Sequence, residues 1–170
     1  MKSNLSTRLR QLKLIVFDFD GVFTDGKVIV NEDGSESVVC SRKDTLRFPE
    51  IKALGIGLVV ISKERNPVVE ARCRKMGIEC FHGVDDKFTL FKKLLESRKI
   101  SSEEVAFVGD DINDVECLKH VGIAFTVADG YEECKMVADY VATRKGGDHA
   151  VREICDLVLA AICEKEVEDV

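Results

Sequence analysis

The chain alternates short apolar runs with segments of helical periodicity along its whole length. Apolar runs at 12–19, 57–62, 105–110 and 122–127 predict strands, and shorter runs at 78–81 and 139–142 predict two more. The segments between and after them predict helices over 43–54, 66–76, 86–97, 112–120, 131–136 and 149–163. Strands that alternate with helices predict a doubly wound α/β fold, in which helices cover both faces of a parallel sheet.

One segment departs from this alternation. Residues 27–40, KVIVNEDGSESVVC, carry alternating apolar residues on both sides of a glycine-containing turn, so they predict a β-hairpin inserted after the first strand. The letters NEDGSE at 31–36 partly match a calcium loop, but they lack its ligand spacing and its distal glutamate. A hairpin turn is therefore the better interpretation, and the 170 residues predict a single domain over 1–170.

Composition excludes several function classes. The net charge is −6, there is no tryptophan, and no basic stripe is interleaved with aromatic residues, so nucleic acid is not an expected partner. The apolar runs are too short to span a membrane, and the N-terminus lacks a secretory pattern, so a cytoplasmic location is expected. Seven cysteines without a C-x-x-C pair indicate reduced core thiols rather than disulfides or zinc.

Polar side chains follow three of the predicted strands. Asp18 and Asp20 end the first strand, Ser62 ends the next long one, and Asp110 and Asp111 end the third. In a parallel sheet, ligands bind outside the carboxyl ends of the strands, so these residues should converge in one crevice. Buried carboxylates are costly without a partner, and a metal ion and a phosphate are the partners that this pattern favours.

These residue types suit phosphate ester hydrolysis. Asp18 supplies a carboxylate nucleophile, and Asp20 can protonate the leaving alcohol and then deprotonate water. Asp18 and Asp110 offer the oxygen ligands that Mg²⁺ prefers. Ser62 offers a hydroxyl donor to phosphate, and Lys87 offers a compact positive charge.

At these residues the chain resembles the haloacid dehalogenase superfamily of phosphatases. DFDGV at 18–22, Ser62, Lys87 and VGDDIND at 108–114 are similar to its four motifs, in the same order. The resemblance implies that Asp18 is the nucleophile and that Asp20 is the acid and base, with its backbone carbonyl on Mg²⁺. It also implies that Asp110 is a metal ligand and that Asp111 and Asp114 are supporting carboxylates, of which Asp111 is also part of the metal site.

A finer resemblance is to the 3-deoxy-D-manno-octulosonate 8-phosphate phosphatases and to related domains attached to, or acting beside, sialic acid cytidylyltransferases. DGVFTDG, the hairpin, RKD at 42–44, GDDINDVECL and GGDHAVRE at 146–153 are similar to this subfamily. The resemblance implies no large cap domain and a homotetramer in which hairpin and tail (144–163) help to close a neighbour's site. It also implies substrate contacts by Thr24, Arg42, Asp44, Glu64 and Arg152.

Two positions depart from that subfamily. Ser62-Lys63-Glu64 stands where octulosonate phosphatases usually have Thr-Gly-Arg, which favours a nine-carbon nonulosonate 9-phosphate over the eight-carbon substrate. In the tail, His149 stands at a usual glycine, a change that disfavours the subfamily's bend in that loop.

Several other interpretations are weaker. Asp25 fits a turn better than a catalytic role, because Asp-Gly favours turns without chemistry. His82, His120 and His149 lack zinc spacing, and Ser62 lacks a G-x-S-x-G context. A phospho-receiver domain would need an acceptor aspartate where Ser62 stands.

A non-catalytic assembly domain that partners a sialic acid cytidylyltransferase remains the main alternative to an enzyme. Such a domain is free to lose its nucleophile or its lysine. Because this chain keeps a complete set of candidate catalytic groups, an active phosphatase is the favoured hypothesis, with Mg²⁺ as its cofactor and a sugar-acid phosphate as its substrate.

Overall fold

The computed structural model describes residues 4–168, with side chains described as far as residue 163. The strands are β1 (Leu14–Phe17), β2 (Ile29–Val30), β3 (Glu36–Ser37), β4 (Gly57–Ile61), β5 (Glu79–Phe81), β6 (Val105–Val108), β7 (Ile123–Thr126) and β8 (Tyr140–Val141). Six of them form one parallel sheet in the order β5-β4-β1-β6-β7-β8. The predicted doubly wound α/β fold is confirmed, and no large cap is present in the described residues.

The helices are α1 (Leu5–Leu9), α2 (Phe48–Ala53), α3 (Val68–Met76), α4 (Lys87–Arg98), α5 (Val115–Lys119), α6 (Glu132–Val137) and α7 (Ala150–Glu168). The helices predicted over 43–54 and 112–120 each begin with a separate 3-10 turn, at Lys43–Thr45 and Ile112–Asp114. Helix α1 is not predicted by periodicity, because five residues are too few to show it. Within residues 4–168, no helix has the length and apolar character needed to cross a membrane.

The central strand β1 is buried on both faces. It pairs with β4 on one side and β6 on the other, with Leu14 opposite both Gly57 and Val105. Ile15 and Phe17 belong to the core covered by α1, α2, α3 and α7, whereas Leu14 and Val16 belong to the core under α4, α5 and α6. A strand that packs against helices on both sides must be apolar throughout, which explains its continuous hydrophobic run.

The predicted hairpin is confirmed, with a shorter ladder than its sequence suggests. Strands β2 and β3 pair antiparallel, with Val30 opposite Glu36, and Asn31 donates its N–H to the Ser35 carbonyl across the turn. Asn66 joins this hairpin to the sheet, since its side-chain amide donates to a Glu36 carboxylate oxygen at 3.1 Å. The hairpin therefore stands beside the carboxyl end of β4.

The tail segment 144–149 packs against the loop that follows β1. Gly147 donates its N–H to the Val22 carbonyl at 3.0 Å, and Gly146 donates to an Asp129 carboxylate oxygen at 2.9 Å. A side chain at Gly146 would overlap the Gly21 carbonyl, so only glycine permits this approach. The bend forms with His149 in place of glycine: its φ is +74°, in the left-handed region that histidine tolerates better than most residues.

Candidate active site

The carboxyl ends of β1, β4 and β6 meet at an open cleft. Asp18 follows β1 directly, Ser62 follows β4, and Asp110 lies two residues beyond β6. One hollow of about 500 Å³ is lined by Asp18, Asp20, Ser62, Lys63, Glu64, Arg65, Asp85 and Asn113. A second hollow of about 410 Å³ shares Asp18, Asp20 and Asn113 with it and extends to Asp110 and Asp111.

Lys87 lies between two carboxylates at the base of this cleft. Its Nζ is 2.7 Å from Asp18 Oδ1 and 2.8 Å from Asp114 Oδ1, and its side chain is 2% exposed. Lys87 is the first residue of α4, and Asp86 caps that helix by accepting the Thr89 N–H, so the helix start directs the lysine inward. Burial lowers the pKa of Lys87, but the two carboxylates raise it by more, so it stands above its ordinary value.

Both carboxylate oxygens of Asp114 accept hydrogen bonds from groups inside the protein. One oxygen accepts from Lys87, and the other accepts the backbone N–H groups of Asp110 (3.1 Å) and Asp111 (3.4 Å). The residue has no exposed surface. Asp114 therefore holds the lysine and the Asp110 backbone in place, which agrees with the supporting role that the resemblance implies for it.

Asp110 completes a cluster of carboxylates. Oxygen atoms of Asp18, Asp110 and Asp114 lie within 4.8 Å of one another. Asp110 Oδ1 is buried and has no hydrogen-bond partner in the described part of the chain. Gly21 makes room for this carboxylate, because a side chain there would overlap it.

The electrostatics of this cluster suit a cation. Burial, Asp114 and Asp111 raise the pKa of Asp110 to about 7. Burial and the charge of Asp114 also raise the pKa of Asp18 well above its usual range, although Lys87 opposes them. A divalent cation favours the ionised form of nearby carboxylates, and hard oxygen ligands suit Mg²⁺. Both the unpartnered Asp110 oxygen and the excess negative charge therefore fit a bound Mg²⁺.

Asp111 lies beside this cluster rather than within it. Its Oδ1 accepts the Ile112 N–H at 2.6 Å and starts the 3-10 turn. The structure thus brings Asp114, and not Asp111, together with Asp18 and Asp110. Asn113 also lines both hollows, and sequence reasoning did not single it out although it belongs to the same motif.

Asp20 lies beside Asp18 and is held by its own loop. Thr24 Oγ1 donates to Asp20 Oδ1 at 3.1 Å. Burial raises the pKa of Asp20 and the Thr24 hydrogen bond opposes that rise, while the charge of Glu64 adds to it. A carboxyl group with a raised pKa can carry a proton, which is what a general acid requires. Asp25 in the same loop accepts the Lys27 N–H at 3.1 Å, as a turn residue does, and it also lines the second hollow.

Ser62 faces the cleft from the end of β4. Its Oγ accepts the Glu64 N–H at 3.1 Å, and in the described residues its own hydroxyl proton has no acceptor. The Ser62 backbone pairs with Phe81 and Val84, which fixes its position against β5 and the loop after it. Glu64 accepts the Asn66 N–H at 2.7 Å, and the Asn66 side chain accepts the Val68 N–H at 3.0 Å at the start of α3.

Four predicted substrate contacts lie away from the cleft lining. Thr24 and Asp44 have no exposed surface. Asp44 accepts the Arg152 N–H at 3.3 Å near the start of α7, and burial raises its pKa to about 6. Arg152 Nε donates to Asp156 at 2.8 Å and lines a separate hollow with His149, and Arg42 lines neither half of the cleft. Of the five predicted contacts, only Glu64 lines the cleft.

Comparison with known sequences agrees with this geometry. The haloacid dehalogenase-like hydrolase family matches residues 71–154. The 3-deoxy-D-manno-octulosonate 8-phosphate phosphatase of Salmonella typhi is 33% identical over 162 residues, which cover 95% of this chain and 86% of the relative. The Escherichia coli K12 phosphatase of the same name is 33% identical over the same shares of the two chains.

Solved structures agree as well. The octulosonate 8-phosphate phosphatase of Moraxella catarrhalis, in complex with a magnesium ion, a phosphate ion and a KDO molecule, has a TM-score of 0.89 and 31% identity over 97% of both chains. The Yersinia pestis phosphatase has a TM-score of 0.91 and 31% identity, over 96% of this chain and 89% of the other. The chain therefore belongs to the haloacid dehalogenase-like hydrolases, in the family of the 3-deoxy-D-manno-octulosonate 8-phosphate phosphatases.

Proposed function

We propose that the chain is a Mg²⁺-dependent phosphomonoesterase that releases phosphate from a 2-keto-3-deoxy sugar acid phosphate through an aspartyl-phosphate at Asp18. The observation that carries this proposal is the contact of Lys87 with Asp18 at 2.7 Å, beside Asp110 and in the cleft that Ser62 lines. This arrangement combines a nucleophile, fixed positive charge and a hydroxyl donor, which phosphoryl transfer requires.

In the first step, a carboxylate oxygen of Asp18 attacks phosphorus. Lys87 holds Oδ1, so Oδ2 is the oxygen available for attack. The bond between phosphorus and the sugar oxygen breaks, and the leaving oxygen takes a proton from Asp20. The Ser62 hydroxyl and the Lys87 ammonium group stabilise the charge that develops on the phosphoryl oxygens.

In the second step, water replaces Asp18 on phosphorus. Asp20, now ionised, takes a proton from the attacking water, and the bond between Asp18 and phosphorus breaks. Phosphate leaves and both carboxylates return to their starting states. One residue thus acts as acid and then as base, which matches its position next to the nucleophile in the same cleft.

Asp18 and Asp110 would hold the magnesium ion, with the Asp20 backbone carbonyl as a further ligand and Asp111 at the edge of the site. When bound, Mg²⁺ offsets the negative charge shared by the carboxylates and the phosphate. The magnesium and phosphate ions of the Moraxella catarrhalis relative support this assignment. So does the unpartnered Asp110 oxygen.

The substrate proposal rests on the family and on Glu64. The named relatives act on the eight-carbon octulosonate 8-phosphate, whereas Ser62-Lys63-Glu64 favours a nine-carbon nonulosonate 9-phosphate. Glu64 lines the cleft and lies near Asp20, where it can contact the distal part of a sugar. We expect phosphate release with Mg²⁺ to be at least about tenfold faster, in kcat/KM, for the better of these two compounds than for hexose phosphates.

The measurement is a phosphate-release assay over octulosonate 8-phosphate, nonulosonate 9-phosphates and unrelated sugar phosphates. Preference for a hexose phosphate would contradict the substrate class. No release from any of them would favour the assembly-domain alternative, and binding to a sialic acid cytidylyltransferase would then be the next measurement.

Replacement of the nucleophile gives a second test. Asp18→Asn should lower kcat by more than about 10³-fold, because an amide cannot attack phosphorus as an anion. Lys87 keeps its contact with Asp114 in this variant, so the fold should persist by circular dichroism. Asp33→Asn, the same change at an exposed turn of the hairpin, is the matched control. Equal activity of the two variants would refute the aspartyl-phosphate.

Metal removal gives a third test. Chelation should abolish activity and added Mg²⁺ should restore it. Asp110→Asn should raise the Mg²⁺ concentration for half-maximal activity by at least about tenfold, because it removes a charged ligand from the cluster. Asp111→Asn should cause a smaller rise, since Asp111 lies outside that cluster. Full activity in chelator would exclude a metal role. A larger rise in the required Mg²⁺ concentration for Asp111→Asn than for Asp110→Asn would mean that Asp111, and not Asp110, is the main metal ligand.

Assembly into a homotetramer is also part of the proposal. The hairpin and the segment after it carry apolar side chains that are 48–70% exposed in the single chain, namely Val28, Ile29, Val30, Val39 and Leu46. Exposed apolar area of this kind is typical of an interaction surface. Arg42 and Arg152 line neither half of their own cleft, so we expect any contact that they make with substrate to lie in a neighbouring subunit.

Light scattering should therefore give the mass of four chains. Val30→Asp should dissociate the assembly and lower kcat/KM per subunit, because the open cleft then loses its neighbouring cover. Met136→Asp introduces the same charge at a residue that is 73% exposed on α6, so it should change neither. A fully active wild-type monomer would contradict the proposal.

A further inference from the structure

Thr24 is a buried residue whose hydroxyl group has three hydrogen-bond partners. Its Oγ1 lies 3.2 Å from the Gly21 nitrogen, 3.1 Å from the Gly26 nitrogen and 3.1 Å from Asp20 Oδ1. The residue has no exposed surface. Its hydroxyl therefore serves the loop between β1 and the hairpin rather than the solvent or a ligand in the cleft.

The chemistry of these partners fixes the direction of each hydrogen bond. A backbone N–H can only donate, so the hydroxyl oxygen accepts from Gly21 and from Gly26, and these two bonds use both of its lone pairs. The single hydroxyl proton must then be donated, and Asp20 Oδ1 is the acceptor within reach. Asp20 Oδ1 is consequently always an acceptor in this bond, in both protonation states of Asp20.

The tail packs against the backbone of this loop. Gly146 and Gly147 lie so close to the backbone of Thr24 that a side chain on either would crowd it. Gly147 also donates its N–H to the Val22 carbonyl in the same loop at 3.0 Å. Because Thr24 has no exposed surface, water does not compete for its hydroxyl group.

We propose that Thr24 is a positioning residue that confines the acid proton of Asp20 to Oδ2, by donating its own proton to Oδ1. This inference rests on the proposed function, because it concerns Asp20 as the acid of the first step. Oδ2 has no hydrogen-bond partner in the described residues, and Asp20 lines both halves of the cleft. The proton thus sits on the oxygen that is free to meet the leaving group.

The test compares two leaving groups in single turnovers, with enzyme in excess over substrate. A sugar alkoxide needs a proton to leave, whereas 4-nitrophenolate does not. Thr24→Val removes the hydroxyl with little change in shape. It should slow alcohol release from the best sugar-acid phosphate by about 10- to 100-fold, and release of 4-nitrophenolate by less than about threefold. Thr24→Ser keeps the hydroxyl and should stay within about threefold of the wild type for both.

Equal slowing with both leaving groups would mean that Thr24 only supports the loop, and no slowing would mean that the hydroxyl is not needed. Either result overturns the inference. In the Asp20→Asn background, Thr24→Val should have no further effect on alcohol release, and an additional loss would show that Thr24 acts through another group. If Thr24→Val does not fold by circular dichroism, Thr24→Cys replaces it, since a thiol is only a weak donor.

Failure of the proposed function looks different. A wild-type enzyme that ignores sugar-acid phosphates but hydrolyses another alkyl phosphate would refute the substrate class, and the Thr24 comparison would then be decided on that compound. Unchanged alcohol release by Asp20→Asn would refute the role of Asp20 itself. A wild-type chain inactive toward every phosphate ester would overturn both proposals together.

Discussion

The contact of Lys87 with two carboxylates is the interaction on which the rest of this site depends. A lysine that is 2% exposed cannot be stabilised by water, so the Asp18 and Asp114 carboxyl groups at hydrogen-bond distance are the partners that stabilise its charge. Loss of both partners would leave the buried ammonium group uncompensated, which is strongly destabilising. The end of β1, the start of α4 and the turn after β6 are thereby joined at one point. That junction holds Asp18 within the carboxylate cluster that would bind magnesium.

The same contact leaves the site with unbalanced charge. Asp18, Asp110 and Asp114 carry three potential negative charges within 4.8 Å, against one ammonium group. Both Asp114 oxygens already accept hydrogen bonds, from Lys87 and from two backbone N–H groups. The uncompensated negative charge therefore lies on Asp18 and Asp110. Burial raises the pKa of both residues, and the neighbouring carboxylates raise it further. A divalent cation would offset the negative charge of these carboxylates and would also attract a phosphate group into the cleft.

The sequence predicted the features that depend on periodicity and strand ends. Asp18, Ser62 and Asp110 could be expected in one crevice because each follows an apolar strand of a parallel sheet. Residue spacing alone could not predict which third carboxylate joins Asp18 and Asp110. Asp111 and Asp114 belong to the same motif, and the 3-10 turn determines which of them reaches the cluster. The bend at His149 depends on a single φ angle that no pattern encodes. The five residues of α1 are too few for a periodic signal, although Arg8 in that helix donates to the Gly122 carbonyl and pairs with Asp139.

Hydrogen bonds connect the hairpin to the cleft, so the proposed assembly surface and the proposed specificity residue Glu64 are linked. Glu36 of β3 accepts from Asn66, the Asn66 N–H donates to Glu64, and the Glu64 N–H donates to Ser62. The apolar surface proposed for assembly therefore lies on the same short hairpin that these hydrogen bonds connect to Ser62 in the cleft. In the proposed assembly, a subunit that docks on the hairpin would fix Glu36 and, through Asn66, the position of Glu64. The loop that carries Glu64 is thus held from both sides, by β5 through the Ser62 backbone and by the hairpin through Asn66.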